Sequence, residues 1–560
     1  MLIKKAKDFL QKYPIILTPF FIFIFAFINQ AFWLKIPFNR SETLFSIGFV
    51  AVMSFLLGRA LTRINLLFQN CILSLLLALY LDMKIGVNPM LNFVFFGREK
   101  LFGFSIGYLV HKSILFRSFT WCCVFLTLWF IILKLCSLFK KNTVIILNTF
   151  FGTALFISII VQITSIQTST QVSNKSRLNT KLPVIIHVIA DAFMSPNAFP
   201  KHNTESQITK ESITNFQKNF GFRNYGHTFS KFNITQQSIS SILNFQKEPS
   251  LETISSKIKL LPSGFQLDQN SYFDHLKSVG YQIHVYQNSS FNYCSHTAVT
   301  NCKSTSIYNP LDPSLTTIEP WIERTINTFL TLSNINSMFF RVFNRLFSWV
   351  IGPNFNFSEL SSFVSLNILE KAFQEAFTAP RGTAIFVHIL LPHPPYVWDE
   401  NCQKSQTIIS ENSDNHYNKE EIEFVAYLKQ TRCVIKKLSE LMRQSLKSNT
   451  FSDTIVLIHG DHGSRITRFE EFLDYKGDPL NQTELANIFS TLFLYKSPNV
   501  TPGTDNEFIS INRLFSRFFN QNGGTDDQNL SLDTQVNLLD IHSSTPKIIG
   551  TFKVKPYFKD

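Results

Sequence analysis

Charge is scarce in this chain: 16% of its 560 residues are Asp, Glu, Lys or Arg, against about 25% in an average soluble domain. The shortage is local. Residues 14–34 form an apolar run without one charge, and runs at about 44–61, 65–82, 118–138 and 143–164 carry almost none. Each is long enough to cross about 30 Å of hydrocarbon as a helix, which argues against a wholly soluble chain. Acidic residues are rarest there: residues 1–165 hold 4 Asp and Glu against 16 Lys and Arg, leaving 35 against 36 in the remainder. The net charge of +13 therefore belongs to the apolar third, where basic residues set topology and meet anionic headgroups. No nucleic-acid surface is implied. The spans have no charges at their centres, which speaks against a transport pathway. No small-residue cleavage pattern follows the first run, so the basic residues from Lys4 to Lys12 precede an uncleaved anchor with a cytoplasmic N-terminus. No internal repeat is found.

Five spans put the rest of the chain on the opposite, extracytoplasmic side. Loop basic residues agree modestly, about nine inside to seven outside. Within the 84–117 loop, LFGFSIGYLVHKSILF reads as an interfacial amphipathic helix; a sixth span would invert the compartment. Of eight cysteines, Cys71, Cys122, Cys123 and Cys136 lie in apolar runs, and Cys294, Cys302, Cys402 and Cys433 in the polar remainder. In an oxidising compartment Cys294–Cys302 and Cys402–Cys433 are plausible disulfides; four cysteines allow three connectivities, and sequence does not choose among them.

Residues 166–182 are polar and rich in Ser, Thr and Asn, the composition of a linker joining the membrane domain, 1–165, to a second domain. From Pro183 the pattern changes to short runs, PVIIHVIA (183–190), YQIHVY (281–286), AIFVHILL (384–391) and TIVLIH (454–459). They are apolar at nearly every position, as strands are when helices cover both faces of a parallel sheet. Residues 358–377 and 421–447 carry helical spacing between them. The expected architecture is an α/β domain over 183–520 with a mostly parallel central sheet, and a polar tail over 521–560.

Functional groups of such sheets gather beyond the C-terminal strand ends. The first run leads into Asp191, the last into Asp461-His462-Gly463, and the third into His393-Pro394-Pro395-Tyr396. Carboxylate oxygen and imidazole nitrogen are ligands for Zn²⁺ or Mn²⁺. Each alone also fits turn chemistry, and His388, inside a strand, fits a core histidine. In NITQQSISSILNF (233–245), apolar residues fall at helical spacing behind Thr235, which is expected to cap the helix. A hydroxyl there meets free N–H groups and the positive end of the dipole, a setting that binds phosphate and favours an alkoxide.

In this order, strand–Asp191, Thr235-x-x-Ser238, His388-x4-His393-Pro-Pro-Tyr and Ile-His-Gly-Asp461-His462-Gly463 resemble the sulfatase-type branch of the alkaline-phosphatase superfamily. The membrane anchor makes the layout similar to lipoteichoic acid synthases, phosphoglycerol transferases and phosphoethanolamine transferases. The resemblance implies Asp191, Asp461 and His462 as metal ligands, Thr235 as the metal-activated nucleophile, and His393 as a substrate-facing acid or phosphate holder, with His388 beside it. Arg465, three residues past His462, is expected either to clamp an anionic oxygen or to stand as a solvated charge. The resemblance further implies a phospholipid donor, a surface glycan or lipid acceptor, and a bacterial cytoplasmic membrane.

The departures matter. The formylglycine signature of sulfatases, Cys or Ser-x-Pro-x-Arg, is replaced by Thr-Gln-Gln-Ser, which disfavours sulfate esters. The only histidine after His462 is His542, so one metal rather than two is expected. A hydrolase using water and a non-catalytic membrane sensor are the competing readings; convergent ligands argue against the second.

Overall fold

The computed structural model describes residues 14–33, 41–85, 126–127, 129–138, 142–168, 179–200, 203–261, 264–288, 290–305, 325, 329, 359–409, 419–445, 453–469, 475, 477–519, 534–540 and 547–556. The chain forms two units, one of residues 1–171 with 308–356 and one of residues 172–307 with 357–560.

The first unit is helical, with α1 (Pro14–Trp33), α2 (Ser41–Leu61), α3 (Leu66–Ile85), α4 (Trp129–Leu138) and α5 (Asn142–Thr168). These helices occupy the runs expected to span a membrane. Among the described residues, however, α2 alone is long and apolar enough to cross one, the others holding shorter apolar stretches. The 101–116 segment and the start of the 118–138 run lie outside the described residues. On α2, Ser46, Val50, Ser54 and Gly58 recur every fourth residue and are buried, and a Cβ at Gly58 would stand 2.2 Å from the Ile16 carbonyl oxygen of α1. Small residues thus let the two backbones meet, as membrane helices do. The other side of α2 exposes Phe45, Phe49, Val52, Met53 and Leu56.

The second unit is built on an eight-stranded sheet. Its strands are β1 (Ile185–Ala190), β2 (Arg223–Phe229), β3 (Gln282–Asn288), β4 (Val299–Thr305), β5 (Thr383–Ile389), β6 (Ile455–Gly460), β7 (Phe493–Lys496) and β8 (Gly503–Ser510), in the spatial order β8-β2-β7-β6-β1-β5-β3-β4. All neighbours are parallel except at β7, which runs antiparallel to β6 and β2. β1 and β5 are buried throughout, the consequence of apolar residues on both faces. One face packs Ile239, Ile242, Tyr272, Phe273, Phe386 and Phe515 into a continuous core. The expected helices appear at Glu359–Thr378 and Lys419–Ser445. Cys294–Cys302 and Cys402–Cys433 are disulfide-bonded.

The tail differs from its compositional reading. Gln535–Leu539 and Ile548–Lys553 form a hairpin. Asn233, two residues before Thr235, receives the Leu539 N–H at 2.8 Å and donates to the Leu539 carbonyl at 3.2 Å.

Candidate metal centre and nucleophile

In the sheet register Ala190 pairs with Gly460 on one side and with Ile389 on the other. Asp191 and Asp461 therefore leave adjacent parallel strands at the same level. Asp461 Oδ1 accepts the N–H groups of Ala192 (3.0 Å) and His462 (2.9 Å). Its Oδ2 is buried with no hydrogen-bond partner among the described residues. His462 Nδ1 lies 2.7 Å from the Gly463 carbonyl oxygen, an acceptor, so that nitrogen carries the proton and the Nε2 lone pair faces the carboxylates. Nε2 is 3.5 Å from both Asp191 Oδ1 and Asp461 Oδ2.

One ligand atom from each of Asp191, Asp461 and His462 lies within 4.8 Å of the others, and all three residues are buried. Burial pushes His462 down to about 4, so no proton bridges its Nε2 to the acids. Burial opposes the Asp461 carboxylate too, but His462, His388 and the Ala192 N–H hold its pKa below the ordinary aspartate value. Anionic oxygens and an imidazole lone pair converging without a proton repel one another unless a cation lies between them. The set therefore fits a divalent metal.

Thr235 joins this group. It is the first residue of a nine-residue helix, Thr235–Leu243, whose N-cap is Ile234, without a side-chain cap. The expected capping role is thus shifted by one residue, because the hydroxyl is turned to the centre. Oγ1 lies 3.1 Å from His462 Nε2 and 3.4 and 3.5 Å from the Asp191 oxygens. Ser238, one turn on, donates at 2.6 Å to the Asp461 carbonyl and ties this helix to the ligand strand.

His393 and Arg465 meet each other. His393 Nδ1 sits 2.6 Å from the Pro394 carbonyl and so donates to it; Nε2, 2.7 Å from Arg465 Nη2, accepts from the guanidinium. Of the two roles expected for His393, acid or phosphate holder, the Arg465 contact puts the ring beside a group suited to an anionic oxygen. Arg465 itself adopts φ +62°, its N–H bound to the Asn487 carbonyl at 2.9 Å.

His388 is fully buried, with Nδ1 2.9 Å from the Tyr293 hydroxyl and Nε2 without a partner among the described residues. His187 and His459, also buried, face each other at 2.8 Å between their Nε2 atoms. Sequence reading singled out neither Tyr293 nor Tyr427, whose hydroxyl donates to the carbonyl of Ala192 (3.0 Å) and accepts the Met194 N–H (2.9 Å). These bonds hold Ala192 at φ +63° directly after Asp191. Nothing local marks a tyrosine that works across more than two hundred residues.

No family model matches the chain, and no curated protein matches it. Similar solved structures include the C-terminal periplasmic domain of EptC from Escherichia coli, 13% identical with a TM-score of 0.36 over 62% of this chain and 83% of that one. The corresponding domain of the phosphoethanolamine transferase EptC from Campylobacter jejuni is also 13% identical, with a TM-score of 0.36 over 62% and 90%. The lipoteichoic acid synthase LtaP from Listeria monocytogenes is 14% identical, with a TM-score of 0.30 over 59% and 68%.

Proposed function

We propose that this chain is a membrane-anchored, metal-dependent enzyme of the sulfatase type that transfers a phospholipid head group, phosphoglycerol or phosphoethanolamine, to a surface glycan or lipid through a phospho-threonine intermediate. The observation that carries this reading is Thr235 Oγ1, at a helix N-terminus and 3.1 to 3.5 Å from the atoms of Asp191 and His462 that suit a metal. Asp191, Asp461 and His462 would hold a divalent ion, which would neutralise charge and lower the pKa of a hydroxyl beside it.

The chain's own groups do the rest. Thr235 Oγ1 gives up its proton to solvent and attacks the donor phosphorus in line. The Oγ1–P bond forms as the bond from phosphorus to the diacylglycerol oxygen breaks, and that oxygen takes up a proton. An acceptor hydroxyl then attacks the same phosphorus, breaking P–Oγ1 and restoring Thr235. The free N–H groups of the Thr235 helix and the Arg465 guanidinium, oriented by His393, bind anionic oxygens. The exposed apolar face of α2 supports the anchor, and the two disulfides support an extracytoplasmic, periplasmic-side compartment.

Intact-mass analysis of the full chain in detergent, with Zn²⁺ or Mn²⁺ and mixed glycerophospholipids, tests this. An adduct on wild type, absent in Thr235→Ala and mapped to Thr235, is expected, and its mass names the head group. Lipid consumption without an adduct points to water as acceptor; no consumption removes the catalytic reading.

A further inference from the structure

His388 stands beside Ile189 in the sheet register, two residues before Asp191, and Ile189 is flanked on its other side by His459, two residues before Asp461. Its ring is wedged against Phe291, 4.2 Å between centroids, and against Tyr293. Nδ1 lies 2.9 Å from the Tyr293 hydroxyl, and Nε2 is buried with no partner among the described residues. Two proton arrangements are open to this pair. If Nδ1 donated to the phenol oxygen, the phenol proton and the Nε2 lone pair would both be buried unsatisfied. If the phenol donates to Nδ1, the Nε2–H is left over together with the phenol lone pairs, which are weak acceptors and cost least to leave unpaired. Each unsatisfied buried group costs about 1–3 kcal/mol, so the second arrangement holds.

A buried N–H without an acceptor, on a rigid strand, is half of a hydrogen bond. Side chains two residues apart on a strand share a face, so the register sets the His388 ring, with Tyr293 on it, on the face of the sheet that carries Asp191 and Asp461. We infer that Tyr293 is a positioning residue: it fixes His388 as the Nε2–H tautomer, and that N–H donates to an oxygen of the phosphoryl group bound at the Asp191–Asp461–His462 centre. The acceptor's identity rests on the phosphoryl-transfer reading; the tautomer does not. His388 therefore works as a neutral donor throughout, complementing the guanidinium of Arg465 rather than exchanging protons.

The test uses the full chain in detergent, labelled with ¹⁵N-histidine. Long-range ¹H–¹⁵N spectra are expected to place the His388 proton on Nε2 in wild type, and Tyr293→Phe, which removes one hydroxyl, to shift it toward Nδ1. Titration of the Zn²⁺-loaded chain with inorganic phosphate is expected to show ~10-fold weaker binding in Tyr293→Phe and His388→Phe. Zn²⁺ affinity should be unchanged and His388→Gln, which keeps an N–H, should bind within a few-fold of wild type. A wild-type proton on Nδ1 overturns the inference. So does phosphate affinity that is absent, or within about twofold of wild type in both Phe variants. If phosphate binding follows Tyr293 and His388 while no adduct forms on Thr235, the donor hydrogen bond stands and phospholipid transfer falls.

Discussion

Gly463, next to the candidate ligand His462, is the position where the smallest chemical change should do the most harm. A Cβ built there stands 2.2 Å from the Asn487 carbonyl oxygen, 2.8 Å from its carbon and 2.9 Å from the Ile488 carbonyl carbon. All three atoms are backbone, so no side chain can swing away. Ordinary contact needs about 3.5 Å, and Gly463→Ala must therefore part the two segments by about 1 Å. Two hydrogen bonds span that gap, Gly463 N–H to Ile488 and Arg465 N–H to Asn487, each 2.9 Å. Their loss at about 1 kcal/mol each, added to overpacking of about 1–3 kcal/mol, gives about 3–5 kcal/mol. That corresponds to a fall in Tm of roughly 10 °C for a unit of this size. Because His462 and Arg465 sit on the displaced segment, Zn²⁺ affinity should fall ~10-fold or more. Thermal melts and zinc competition against a chromophoric chelator read both. A Gly463→Ala chain that melts within about 1 °C of wild type with unchanged zinc affinity would refute the reasoning.

Two further outcomes are expected. Asp461→Asn keeps an oxygen to accept the Ala192 and His462 N–H groups but removes the charge. It should fold normally and lose ~100-fold or more in Zn²⁺ affinity, and equal affinity by competition titration would remove Asp461 from the ligand set. Acid should unfold the second unit early. Burial pushes His388 down to about 3 and His459 to about 4, below the ordinary value of about 6.5, so the unfolded chain binds protons first as pH falls. Stability from these groups is whole above about pH 6.5 and drains away toward pH 4, on the order of 1.4 kcal/mol per pH unit for each histidine. The metal-free chain should show Tm falling steeply from pH 6.5 to 4.5, and a flat profile would show that the two rings are not buried neutral.

Much of the second unit could be read from residue order. The runs at 183–190, 281–286, 384–391 and 454–459 became β1, β3, β5 and β6 because a strand covered on both faces must be apolar at every position. Arg223–Phe229 and Val299–Thr305 escaped notice because Arg-Asn-Tyr-Gly-His-Thr-Phe and Val-Thr-Asn-Cys-Lys-Ser-Thr interleave polar residues and present no such run. β7, the antiparallel strand, was invisible because four residues, Phe493–Lys496, carry too little pattern to give a direction.

Sequence alone determined which residues are chemically suited to a metal and a nucleophile. Asp191 and Asp461-His462 each end an apolar run, and Thr235 opens an amphipathic helical stretch. Tertiary structure decided that they meet. Parallel pairing of β1 with β6, Ala190 opposite Gly460, brings residues 270 positions apart to one level, and the helix beginning at Thr235 packs over that edge with Ser238 bonded to Asp461. It also decided which groups the ring nitrogens of His388 and His393 meet. Whether an imidazole donates, accepts or exchanges a proton depends on the partners of its two nitrogens, and here those partners are Tyr293, the Pro394 carbonyl and Arg465. Tyr293 and Arg465 reach their histidines only through the fold.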